Sequence, residues 1–184
     1  MFEVDHPDTL ASKRSVLQRI GVAAPHVCYV PIDFNQRSLP PAMAEAGYRE
    51  SARSFFLWEG VTNYLTDAAV DATLRWCASA APGSLLLFTY VHRDVLTKPG
   101  AFLGTEQLFA SLAKFGEKWT FGIHPGELRG YLAERGLSLE SDVGASEYRE
   151  RHFGDAARGM RGYEFYRIAL ARVAPLDNEP RAGS

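Results

Sequence analysis

FEVDHPDTLASKRSVLQRIG, residues 2–21, reads as one strand, one turn and one helix. Phe2 to Asp5 alternates apolar and polar, as a short strand does. Pro7 and Asp8 open a helix running from about Thr9 to Ile20, because proline suits the first helical turn. Gly21 closes it by accepting the left-handed backbone that ends many helices. A strand feeding directly into a helix is the unit from which parallel sheets are built.

The rest of the chain repeats this alternation. Strands are expected at Val27 to Ile32, Ser54 to Trp58 and Leu85 to Val91, with helices at Ala42 to Ala46 and Asp67 to Ala80. Ser54 to Trp58 is a continuous apolar run, which predicts a strand covered on both faces. His92 to Thr105 reads as a loop, and helices follow at Glu106 to Phe115 and Pro125 to Arg135. Strands at Ser138 to Val143 and Tyr163 to Val173, with a short helix near Ala145 to Phe153 between them, predict an antiparallel pair at one sheet edge. The expected architecture is α/β, a mostly parallel Rossmann-like sheet with an antiparallel C-terminal strand. Residues 1–173 form the domain, and residues 174–184, rich in proline and charge, form a disordered tail.

Composition narrows the function. The chain has 184 residues, 46% of them hydrophobic and 23% charged, with a net charge of -2. That balance supplies no basic field for nucleic acid or an anionic membrane surface. The longest apolar run, Leu85 to Val91, is too short to span a bilayer. Cys28 and Cys77 form no paired motif, so neither a disulfide framework nor a zinc site is read from them. Both are expected to be buried thiols in a reducing cytoplasm. No metal-ligand set is singled out.

Ligands of open α/β sheets bind beyond the carboxyl ends of the strands. Three successive strands end in an acid there: Asp5, Asp33 and Glu59. A carboxylate so placed can receive ribose hydroxyls or an amino group, and three on one rim favour a shared ligand. The competing reading is that each acid caps the next helix.

FEVDHPDTLASKRSVL (residues 2–17), VPIDFN (30–35), FFLWEGVTNYLT (55–66) and YEFYRIALARV (163–173) resemble, in order and spacing, segments of the leucine carboxyl methyltransferase family and its bacterial SAM-dependent O-methyltransferase branch. The resemblance implies S-adenosyl-L-methionine (SAM) as cofactor and a small-molecule or other carboxylate-bearing substrate. It implies Asp5 on the SAM ribose, Asp33 at the adenine amino group with Phe34 against the ring, and Glu59 near the methionine amino group. Tyr64 would face the pocket. It also implies a class I methyltransferase sheet lacking its first strand and glycine-rich loop, since FEVD resembles the family's second strand. A separately made N-terminal segment would then be the missing partner. In the family's sheet that first strand lies between the second and the fourth, so without it these either pair directly or leave open inner edges.

Carboxylate methylation needs no general base, because the nucleophile is already ionised and positioning supplies the rate. No catalytic base is assigned. Two other classes stand beside the enzyme reading: an inactive remnant serving as a binding module, and a nicotinamide-dependent oxidoreductase, which would gain if the last strands were parallel.

Overall fold

The computed structural model describes residues 1–34, 36–98 and 100–175. The tail expected at 174–184 therefore lies, from residue 176 on, outside the described residues. Contacts divide the chain into two compact units, Met1–Glu50 and Ser51–Ser184.

The first unit is a βαβ element. Strands β1 (Phe2–Asp5) and β2 (Cys28–Pro31) pair in parallel, with Asp5 opposite Pro31. Helix α1 (Pro7–Arg19) joins them and buries Leu10. Its N-cap is His6, whose Nδ1 accepts from the backbone N–H of Asp8, so Asp5 is released from the capping role. Helix α2 (Leu39–Glu45) takes Pro40 and Pro41 into its first turn and buries Leu39, Ala42 and Met43. Cys28 is exposed, contrary to the expectation from sequence. It stands at the start of a strand whose pattern buries only Val30.

The second unit is a four-stranded sheet in the order β3-β4-β6-β5. Strands β3 (Phe55–Trp58) and β4 (Leu85–Val91) are parallel. Strand β6 (Tyr166–Val173) runs antiparallel to β4 on one side and to β5 (Leu137–Gly144) on the other. The antiparallel edge pair is therefore present. Within this four-stranded sheet one pairing is parallel and two are antiparallel, so the sheet is mixed.

One face of this sheet carries the core. Leu86, Phe88 and Tyr90 alternate along β4 and are fully buried. Helices α3 (Asp67–Ala78) and α6 (Leu128–Ala133) contribute Val70, Leu74, Cys77, Leu128 and Leu132 to the same core. Thr66 caps α3 by accepting from Ala69 N–H. The opposite face corrects the reading of Ser54 to Trp58. Phe55 and Leu57 are 62% and 63% exposed. Phe56 packs edge-on against Trp76 of α3, and Trp58 is buried, so only that face of β3 is covered.

Beyond β4 the expected loop contains a one-turn helix, α4 (Asp94–Thr97). Helix α5 (Thr105–Lys114) then closes a small core with Val91, Val95, Trp119 and Phe165, to which it gives Leu112. The last helix, α7 (Ala145–Phe153), follows β5 directly.

Candidate functional site

In the first unit Asp5 and Asp33 come to the same end of the β1–β2 pair. Asp5 ends β1, and Asp33 lies two residues beyond its partner Pro31. Asp5 Oδ1 accepts from His6 N–H at 2.7 Å, which fixes the carboxylate. Its Oδ2 makes no hydrogen bond among the described residues and is available to a ligand hydroxyl. Asp33 Oδ2 accepts from Gln36 Nε2 at 2.6 Å and lies 4.0 Å from His6 Nε2. Phe34 follows in the turn, half-buried. Glu3, two residues before Asp5 on the same strand face, is committed to Lys13 at 2.5 Å.

In the second unit Glu59 leaves the end of β3 exposed. The turn behind it is pinned to β4. Gly60 N–H donates to Thr89 Oγ1 at 2.8 Å, and Thr62 Oγ1 donates to the Thr89 carbonyl at 2.7 Å. Gly60 adopts φ +72°, a left-handed conformation that favours glycine. The Glu59 carboxylate forms no hydrogen bond or ion pair among the described residues. Tyr64 sits in a 3-10 turn, Thr62–Tyr64, 38% exposed, and donates its hydroxyl to Glu117 Oε2 at 2.9 Å. Burial raises its phenol above the ordinary range, the indole of Trp119 opposes this, and Glu117 adds to it. Its ring stands edge-on to Trp119 at 6.3 Å.

The segment Thr120 to Ile123 is a feature the sequence reading missed. It crosses between the exits of β3 and β4. Thr120 N–H donates to the Asn63 carbonyl at 2.8 Å and Thr120 Oγ1 to the Leu65 carbonyl at 2.8 Å. Ile123 N–H donates to the Val91 carbonyl at 3.0 Å, and Arg93 N–H to the Ile123 carbonyl at 3.2 Å. This approach favours glycine at position 122, since a Cβ there would stand 3.0 Å from the Val91 oxygen and from Arg93 Cα, a tight contact with backbone. Its small size in FGIHP was the available signal.

The splint delivers His124 beside His92, with ring centroids 5.2 Å apart and planes nearly perpendicular. Asp94 completes the group, its Oδ1 3.9 Å from His124 Nε2 and its Oδ2 3.0 Å from Lys98 Nζ. Burial lowers the imidazole of His92, partly offset by Asp94. Lys98 holds Asp94 below the usual carboxylate range. A groove lined by Arg129, Leu137, Leu139 and Ala174 lies at the start of β5, the opposite end of the sheet from Glu59, and takes no part in this arrangement.

The fold is α/β with a mixed four-stranded sheet, and solved methyltransferase structures share it. A crystal structure of a "putative methyltransferase" from Thermobifida fusca YX shares it, with TM-score 0.63 and 18% identity over 95% of this chain and 63% of that one. Residues 1–78 match the family described as leucine carboxyl methyltransferase. Over those residues the chain is similar to the leucine carboxyl methyltransferases. It is 24% identical over 168 residues to the "Putative S-adenosyl-L-methionine-dependent methyltransferase YktD" of Bacillus subtilis strain 168, covering 89% of this chain and 54% of that protein. It is 35% identical over 157 residues to a protein of the same description, without the final name, from Mycolicibacterium vanbaalenii, covering 77% of this chain and 48% of that protein. The chain thus spans about half the length of the curated relatives it matches. No helix among the described residues is long and apolar enough to cross a membrane.

Proposed function

We propose that this chain is the greater part of the SAM-binding sheet of an O-methyltransferase acting on a carboxyl or hydroxyl of a small-molecule or carboxylate-bearing substrate. The observation that carries the reading is the pair Asp5 and Asp33 at one end of β1 and β2, with Asp5 Oδ2 unengaged. Strand ends of this kind are where such sheets bind nucleotides. Asp5 receives the ribose hydroxyls, Asp33 the adenine amino group with Phe34 against the ring, and Glu59 the methionine amino group. Tyr64, tied to Glu117, shapes the wall beyond Glu59. SAM, when bound, supplies the methyl group on a sulfonium, and the protein's task is to align an acceptor oxygen with it.

The partner in this reading is an N-terminal segment, made separately or joined to this chain, that supplies a strand and a glycine-rich turn. The open edge and exposed face of β3 support it, because parallel strands are ordinarily covered on both faces. Two unpaired cysteines support a reducing, cytoplasmic setting. The oxidoreductase reading does not gain the support that parallel last strands would have lent it, since β5 and β6 are antiparallel.

The test is SAM calorimetry on the chain alone, and on the chain mixed with the part of the M. vanbaalenii relative outside the match. Binding is expected to be stronger in the mixture. Asp5→Ala should weaken it about 10- to 100-fold, the equivalent of about 1.5–3 kcal/mol for a charged hydrogen bond. SAM binding indifferent to Asp5→Ala would sink the site assignment. No binding in either arm would leave the remnant, acting as a binding module, as the better reading.

A further inference from the structure

The His92, Asp94 and His124 group belongs to none of the roles above. Each offers one ligand atom, and the three atoms lie within 4.8 Å of one another. We propose that these residues bind one divalent transition-metal ion of the Zn2+ or Co2+ kind, leaving coordination positions open to an oxygen ligand. The inference stands whether or not the chain binds SAM.

Backbone bonds, not chance side-chain positions, hold the group. His92 N–H donates to the Phe165 carbonyl at 2.8 Å, and His92 pairs with Ile123 in a parallel bridge. His124 is the next residue on that splint. The His92 ring is braced against Phe102 at 5.3 Å. All three residues are half-buried, so a ligand can reach them.

Two imidazoles and one carboxylate suit zinc and its neighbours rather than the all-oxygen shells of magnesium or calcium. Donors about 2.0–2.1 Å from a tetrahedral ion lie about 3.3 Å from each other. The three atoms must therefore draw together by side-chain rotation about fixed backbone positions. His92 Nδ1 now accepts from Asp94 N–H at 3.1 Å. Ligation through Nδ1 gives up that one neutral hydrogen bond, a small loss beside a metal–nitrogen bond, and ligation through Nε2 keeps it.

Lys98 distinguishes a cation site from an anion site. Its ammonium stands 3.0 Å from Asp94 Oδ2 on a largely exposed side chain, in the position of a competitor for the metal. Removing it should tighten a cation and weaken an anion.

The experiment is calorimetric titration of the 184-residue chain with Zn2+, and with Co2+ read by its visible absorption. One saturable equivalent is expected. Asp94→Asn and His124→Ala should each weaken binding at least about tenfold. Lys98→Gln should tighten it, and His124→Asp, which keeps a ligand atom, should retain much of it. His152→Ala, on the exposed side of α7, should leave it unchanged. Circular dichroism identifies any variant that fails to fold, and His124→Asp then decides in place of His124→Ala. Absence of saturable binding overturns the proposal. So do equal affinity in the Asp94 and His124 variants, weaker binding in Lys98→Gln, and a cobalt–thiolate band, which would place the metal at Cys28.

Discussion

Tyr90 is the largest fully buried side chain of the second unit, and its hydroxyl needs a partner. It donates to Asp142 Oδ2 at 2.9 Å, across β6 from β4 to β5. Arg167, between them, donates its Nε–H to both oxygens of Asp142 at 3.0 and 3.1 Å. Burial, then the Asp142 charge, raises the Tyr90 phenol, so it stays a neutral donor at all ordinary pH. Asp142→Ala strips an arginine and a buried phenol of their common acceptor. We expect a loss of about 2–4 kcal/mol in urea unfolding, near what breaking a partly buried pair costs. Asp142→Asn, which keeps one acceptor, should lose less. Equal stability of wild type and Asp142→Ala would show that solvent satisfies both groups.

Strand β3 shows how far a sequence speaks for an element. FFLW named the strand correctly, and its apolar run implied cover on both faces. The structure covers Phe56 and Trp58 and exposes Phe55 and Leu57. Apolar content reports what a strand is built to touch, whereas exposure depends on which neighbours are there. The same limit explains the site. The places of Asp5, Asp33 and Glu59 at or just past strand ends were legible because strand ends are marked by the switch from apolar alternation to turn residues. His92 opens an expected loop and His124 stands just before an expected helix, so nothing in the sequence joins them. Their meeting depends on a bridge between residues 31 positions apart in the chain, which no local pattern encodes. Helix α4 was missed because one turn leaves no periodicity to detect. On this basis Leu57→Lys should leave the melting temperature of the isolated chain almost unchanged and reduce its aggregation on warming, as measured by light scattering. A loss above about 1 kcal/mol would mean Leu57 is buried in solution.

Across the whole chain, stability should be uneven. Strand β6 is hydrogen-bonded on both sides, to β4 and β5, and carries buried Ala169, Ala171 and Val173. The first unit has a two-stranded sheet of four residue pairs and a much smaller core. Two strands alone are marginal in water. Hydrogen exchange should therefore find the slowest amides in β4 and β6 and exchange at least about tenfold faster in β1 and β2. Uniform protection would show that the two units open as one cooperative body.

The excursion between β4 and Ile123 departs from and returns to a single bridge. Its ends are fastened by the bonds among Val91, Arg93 and Ile123, and not by the helices α4 and α5 that it contains. Loop closure changes by only about 0.6 kcal/mol for each doubling of length. The stretch is thus a cassette: helix α5 and its flanks can be lengthened, shortened or exchanged while the strand ends stay where they are. Variation in this lineage has a place to accumulate, and a designer has a place to cut.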